Sequence, residues 1–473
     1  MEGEDAVMRM MSLLLAAALV LVGCGAPGRS APSQGTSRED GPSSGEKEPA
    51  RMNYALAEPV YPEFPKEPEL PETEKEWEAY REAYDKYMDA MMAIRGEQPG
   101  LPEAERAALA AFAARSTPLA LAGHEGENAV YSPLSLWSAL AMLARCANGD
   151  SRQQVLGALE TDSVDGLQEA VSQVWRALYT DDGKSSLILA NSIWLNGNLR
   201  GNYVQETLDV LAQKHFAGAY SVPMGTDEAD RAVTGWVKEQ TNGLIGGDSP
   251  VVETKPETLA LLASSLYYKA AWLDEFAGRL TEQDIFTDAA GQESKVDFMH
   301  RTERAAFLRQ DGYQAASLNT HLGEMVFVLP DEGVSPESLL QSPDLLATLD
   351  FSTENSRYGE VQWSVPKFDV NSDLDLKSAL SALGVSDLLD PEKADLSALT
   401  DLDAFLSDAK QLARVKVDEE GVEAAAVTIM MVDATSAMPD PDPEICVMDL
   451  DRPFLFVIRT QGVPLFVGIV NQV

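Results

Sequence analysis

The apolar positions of this chain change their period several times. Leu13 to Val22 is a continuous apolar run, well short of the ~20 residues a membrane-spanning helix needs. Gly25 to Ala50 is rich in Gly, Ser and Pro with almost no apolar residue, and reads as a flexible tether. Arg51 to Glu72 is studded with Pro and Glu and is expected to stay extended. Trp77, Tyr80, Tyr84, Met88 and Met91 then recur at helical spacing, which predicts an amphipathic helix with one aromatic face. From about Leu101 a globular body begins. A helix is expected from Pro133 through Met142 to Cys146, with Ser132 as its cap and proline in its first turn. Asn148-Gly149 should stop it. Leu187 to Trp194 reads as a strand and Val233 to Ile245 as a helix. Helical patterns dominate the first half of the body and strands the second, an α+β layout in one domain. The chain divides into 1-23, 24-73, 74-100 and 101-473: signal peptide, tether, helical extension and globular domain.

One stretch says more than the rest. Asp418 to Thr428 reads D-E-E-G-V-E-A-A-A-V-T. Written as a strand, it and its continuation split by period 2 into two faces. Val422, Ala424, Ala426, Thr428, Met430, Val432 and Ala434 form one face without charge; Glu423, Ala425, Val427, Ile429, Met431 and Asp433 form the other. Such a segment could enter a sheet, small side on the core and charged side on water. E-A-A-A is also good helix-forming composition. However, Ala437 to Pro443, A-M-P-D-P-D-P, suits neither a helix nor a central strand, so a potential strand runs into a proline-stiffened loop.

This stretch resembles the hinge and reactive-centre loop of the serpins, whose pattern is E-E-G-T-E-A-A-A-x-T. Further blocks follow in family order. They are the S-P-x-S of Ser132 to Ser135, the L-x-x-A-N-x-x-W of Leu187 to Trp194, and V-T-G-W-V-K-E-Q-T-N-G-L-I from Val233. Tyr267-Tyr268-Lys269-Ala270-Ala271-Trp272 is followed by Phe276, Thr281, Phe286, Val296 and Met299. Pro366-Lys367-Phe368, L-K-S-A-L-S-A-L-G from Leu376, Arg452-Pro453-Phe454 and Leu465-Phe466-Val467-Gly468 complete the set. The resemblance covers roughly Leu101 to Val473. It implies the serpin fold, with three β-sheets, about nine helices and an exposed loop near the C-terminus. It also implies inhibition by a suicide-substrate mechanism, in which a protease cleaves the loop and the freed side inserts into the main sheet. The alternative is a serpin fold without inhibition, as a cleavable substrate or binding module.

Residue by residue, the resemblance assigns the hinge to Glu419, Gly421, Val422, Glu423, Ala424, Ala425, Ala426 and Thr428. Family insertion length sets the reactive bond between Thr435 and Ser436. Small residues there suit a serine or cysteine protease with a small or apolar primary pocket. No basic residue occurs between Lys416 and Arg452. Glu419 is expected to pair with Lys367, and Ser132, Ser135, Ser264 and Gln411 to form a cluster that locks the central sheet. Three departures stand out. Val422 replaces the usual Thr or Ser, Ser264 and Gln411 replace the usual Asn and His, and the Gly421–Pro453 stretch is longer than in the family.

Charge and cysteines refine the picture. A net charge of −40 argues against nucleic-acid binding, which needs a basic footprint, and against docking on anionic lipid. Leu21-Val22-Gly23-Cys24 resembles a bacterial lipobox, which makes Cys24 the lipid carrier of an exported protein anchored to the cell membrane, its body extracytoplasmic. The acids among Met1 to Val7 depart from a signal peptide's basic start; Met8, followed by Arg9, offers another start. Cys146 and Cys446 are expected to be unpaired and the protein monomeric. No catalytic site, metal site or cofactor is expected. His124, His215, His300 and His321 lie in no metal-ligand spacing, and Ser407 to Lys410 satisfies S-x-x-K without its companion motifs.

Overall fold

The structure, a computed structural model, describes residues 15–25, 54–65, 75–182, 185–247, 249–342, 344–352, 356–421 and 444–473, with Pro68, Pro71 and Thr73. Strands β1 (Leu15–Gly25) and β2 (Ala55–Ala57) precede helices α1 (Trp77–Glu97) and α2 (Glu103–Ala120). The helix-rich half continues with β3 (Ala129–Tyr131), α3 (Pro133–Cys146), α4 (Gly149–Ala158), α5 (Val164–Leu178), β4 (Thr180–Asp181) and β5 (Ser186–Asn196). It closes with α6 (Gln205–Lys214), β6 (Ala217–Val222) and α7 (Asp227–Gln240). Strands then dominate: β7 (Thr258–Lys269), β8 (Glu282–Thr287), β9 (Glu293–Gln310), β10 (Tyr313–Asn319) and β11 (Glu324–Pro330). After the short α8 (Pro336–Leu340) and α9 (Leu345–Thr348) come β12 (Arg357–Pro366), β13 (Phe368–Asp375), α10 (Lys377–Ala382) and β14 (Ala404–Val417). The chain ends in β15 (Ile445–Asp449), β16 (Phe454–Thr460) and β17 (Val463–Val470).

The main sheet runs β13-β14-β1-β7-β5-β6-β2, with β4 on β5. A second network runs β15-β12-β9-β10-β11-β16-β17-β3, with β8 on β9. Its long strand β9 serves two sheets. The part up to Phe307 pairs with β8 and β12, and Phe307 to Gln310 pair with β10. With the main sheet this makes three.

Along β5, β6 and β7 the main sheet is buried on both faces, and period 2 divides its side chains between two cores. On β5, Leu187, Leu189, Ile193 and Leu195 enter the large central core. Ala190 and Trp194 face the other way, into a second core closed by Val233, Trp236 and Val237 of α7. There Trp194 stacks on Tyr220 at 4.4 Å. Helix α3 is buried nearly all round, as a helix apolar on every side must be. Its expected start holds: Ser132 Oγ accepts from Ser135 N at 3.3 Å, and Pro133 occupies the first turn.

Part of the N-terminal stretch is attached to the body. β2 pairs with β6, and Tyr61 stacks on Trp175 and Tyr179, both at 5.4 Å. On α1 the aromatic face is a ladder, Trp77–Tyr80–Tyr84–Tyr87, with Tyr87 and Met91 buried. Gln98, just past its end, donates to the carbonyls of Arg176, Ala177 and Tyr179. Cys146 and Cys446 are buried free thiols. No helix among the described residues is long and apolar enough to cross a membrane.

Candidate functional site: the hinge and the slot beside it

Strand β14 ends at Val417, and a turn follows from Asp418 to Gly421, closed by Gly421 N donating to Asp418 O at 3.3 Å. Gly421 has φ +74°, and a Cβ there would lie 2.3 Å from Trp272 N. Both conformation and space therefore demand glycine. Trp272 is the partner that fixes the turn. Its indole N–H donates to Asp418 O at 3.0 Å and its backbone N–H to Glu420 O at 3.4 Å. Phe276 N donates to Glu419 O at 3.0 Å.

Glu419 and Lys367 meet, Nζ to Oε2 at 3.1 Å, and Thr281 Oγ1 adds a hydrogen bond of 2.9 Å. Lys367 stands at the joint between β12 and β13, where one sheet hands the chain to another. Burial pulls the Glu419 carboxyl upward, but hydrogen bonds from its own backbone, Lys367 and Thr281, helped by the Lys367 charge, hold it below the usual range. Asp418 goes the other way. It is 4 % exposed; its Oδ1 accepts from Glu420 N, and Oδ2 has no partner among the described residues. Burial pushes its pKa up to about 7, the nearby Glu420 and Glu419 adding to the effect against Lys416 and the Glu420 N–H.

The sheet-lock residues lie deeper. Gln411, fully buried on β14, clasps the backbone of Ser132: Oε1 accepts from Ser132 N at 2.6 Å, and Nε2 donates to Ser132 O at 3.0 Å. Ser132 Oγ donates to Ser135 Oγ at 3.0 Å. Ser264 is buried on β7 and does not join them. The register gives the reason: Gln411 and Ser264 flank the same residue, Leu19 of β1. A whole strand stands between β14 and β7.

That strand is the apolar run near the N-terminus. It is antiparallel to both neighbours, Leu15 opposite Val415 and Tyr268, Gly25 opposite Ala404 at the far end. Its backbone fills a slot that opens beside the hinge. The segment read as a signal-peptide core and lipobox, with Cys24 opposite Phe405 and Thr258, is in the full chain a central strand. Val422 through Thr428 and the Thr435–Ser436 bond lie outside the described residues.

Of the residues named from sequence, the structure brings Glu419 to Lys367 and Gln411 to Ser132 and Ser135, but not Ser264 to them; the roles of Asp418, Trp272 and Thr281 at the hinge were not reached. Asp418 and Trp272 are 146 residues apart, Thr281 and Glu419 138, and no local pattern joins them. The S-x-x-K residues fall on the regular strand β14, where Lys410 pairs with Asp373 at 3.7 Å. Among the described residues no group of three His, Cys, Asp or Glu could hold a metal ion.

Comparison with known proteins agrees with this geometry. The family model described as Serpin (serine protease inhibitor) matches residues 107–473. Serpin-Z2B of Triticum aestivum is 32% identical over 363 residues, covering 72% of this chain and 89% of its own length. Plasminogen activator inhibitor 1 of Sus scrofa is 29% identical over 360 residues, covering 73% and 87%. Among solved structures, the thermophilic serpin Tengpin in its native state superposes with a TM-score of 0.68 at 26% identity, covering 80% of this chain and 96% of its own. With a hinge closed on glycine, a main sheet that admits a strand beside it and a family match over the whole body, this chain belongs to the serpin family.

Proposed function

We propose that this chain is a suicide-substrate inhibitor of serine proteases. One observation carries the reading: an apolar strand fits between β7 and β14, hydrogen-bonded to both, beginning at the hinge end. A loop continuing from β14 through the Gly421 turn would run in the same direction, antiparallel to β14, and meet the same backbone partners. The protease attacks the loop at Thr435–Ser436 and forms its acyl-enzyme on Thr435. The freed segment from Val422 onward then enters the slot, placing Ala424 and Ala426 on the core side. New ladder hydrogen bonds and buried apolar area drive insertion. The tethered protease is carried along and distorted before water can release it. Val422 is uncharged and close to threonine in shape, so it can be buried as insertion requires. The plasminogen activator inhibitor among the relatives is in keeping with this reading.

The target is a protease with a shallow apolar primary pocket, elastase-like or subtilisin-like, since Ala434 and Thr435 are small and uncharged. The inhibitor acts as a monomer outside the cytoplasm, held to the cell membrane by a lipid on Cys24. The test is to mix the processed protein, beginning at Cys24, with elastase, subtilisin and trypsin and run a denaturing gel. A covalent complex with the first two that survives boiling is expected. Cleavage without a complex would leave a serpin-fold substrate.

A further inference from the structure

The slot beside the hinge is already occupied in the full chain, and the occupant comes from the chain itself. Leu15 to Gly25, L-A-A-A-L-V-L-V-G-C-G, carries no charge. It pairs along its length with β14, from Val415 to Ala404, and with β7, from Tyr268 to Thr258. The register slips once on each side, at Val22/Gly23 against β14 and at Gly23/Cys24 against β7. Upstream of those points the ladder is unbroken. Its first residue lies opposite Val415, three positions before Asp418, where a strand turning back at Gly421 would have to begin. Backbone groups of β7 and β14 that face each other across the slot can be satisfied by one strand at a time.

We propose that Leu15–Gly25 is an intramolecular plug of the loop-acceptor slot. While it is in place, the reactive loop cannot insert, and the unprocessed chain is cut as a plain substrate. Hydrolysis of the Gly23–Cys24 amide, water adding across it, detaches all of the strand but Cys24 and Gly25 and frees the slot. The cut that makes Cys24 the N-terminus is then also the step that arms the inhibitor. The consequence for trapping rests on the inhibitory reading above; the occupancy of the slot does not.

The test uses the full chain, with Ala17→Pro/Leu19→Pro/Leu21→Pro in the same chain as the unplugged variant, because proline cannot donate to a ladder. The probe is a fluorescent synthetic peptide of residues 422–435, the segment the slot would receive. In the wild-type chain, hydrogen exchange at 15–25 should be slowed by about a thousandfold or more, as for a core strand, and the peptide should be excluded. The proline variant should take up at least about tenfold more peptide once its competitor is gone. Exchange at the rate of an unstructured segment, or equal peptide uptake by both chains, would overturn the plug. So would a wild-type full chain that traps protease as efficiently as the processed form. If the variant does not melt cooperatively, the wild-type exchange and peptide exclusion decide alone. If the plug criteria are met and yet neither processed nor full chain forms a covalent complex, the plug stands and the inhibitory reading falls.

Discussion

At the scale of single residues, the hinge sets two opposed carboxyls side by side. Asp418 is buried, one oxygen without a partner among the described residues, its pKa raised from 3.8 to about 7, whereas Glu419 is lowered by its partners. A carboxyl raised in the folded state binds its proton more tightly there than in the unfolded chain. The stability it contributes is fully present below about 4 and is lost as pH rises through about 7. Asp418→Asn should therefore gain on the wild type as pH rises across that window and stay level above it, read as the difference in thermal midpoint. A difference independent of pH would mean that the carboxyl is ionised throughout. Buried His215, lowered to about 3 by burial and the Arg145 charge, costs stability as pH falls below its ordinary range. That effect is common to both proteins and cancels. The Lys367–Glu419 pair is partly exposed, and such pairs are worth about 0–1 kcal/mol. The role proposed for it is to keep the slot's entrance shut once the slot is empty. In the processed protein, Glu419→Lys should leave the melting temperature within a few degrees but produce polymers on mild heating, since an opened sheet accepts another molecule's strand. Unchanged monomer by size exclusion after heating would mean that the pair is idle.

At the scale of elements, the loop's two faces make a sharp expectation for the processed protein. Ala424→Glu and Ala426→Glu should each convert inhibitor to substrate, because a buried unpaired carboxylate costs several kcal/mol, enough for deacylation to overtake trapping. Ala425→Glu should stay largely inhibitory, its side chain facing water. Equal loss of complex in all three variants on a denaturing gel would refute the alternation. Much of the frame that surrounds this loop was legible in the sequence. The capped start of α3, the strand at Leu187 to Trp194 and the helix after Val233 each carry a period and a punctuating residue. The main sheet's strands also carry family motifs. Ser264 was grouped with Ser132, Ser135 and Gln411 by its place in a motif, yet β1 stands between β7 and β14 and keeps it from Gln411. A short apolar run has no period that tells a strand from an export signal, so the pairing of Leu15–Gly25 could not be read in advance. Nor could β2, three residues inside a Pro- and Glu-rich stretch, since its strand character comes from the edge of β6 rather than from its own composition.

At the scale of the whole molecule, the proposed plug and the proposed lipid anchor meet at Cys24. In the full chain Leu15–Gly25 fills a place in the main sheet; on the proposed processing, Cys24 would become the new N-terminus and the point of attachment. Nearer the body, Tyr54 to Phe64 is held against β6 and α5. Cys24→Ala should move the protein from the membrane fraction to the soluble one, and its N-terminus should stay unprocessed if the cut requires the cysteine. A variant that remains with the membrane would show that something else anchors it. The net charge of −40 disfavours docking of the body on anionic lipid. The most direct measurement of the mechanism joins a denaturing gel to mass spectrometry. Processed protein is mixed with an elastase-like protease, and the covalent complex and the released C-terminal fragment are weighed. The expected result is a complex of inhibitor body and protease that survives boiling, with a fragment beginning at Ser436. A fragment beginning before Val432 or after Pro443, or complete cleavage with the protease still active and no complex, would contradict it.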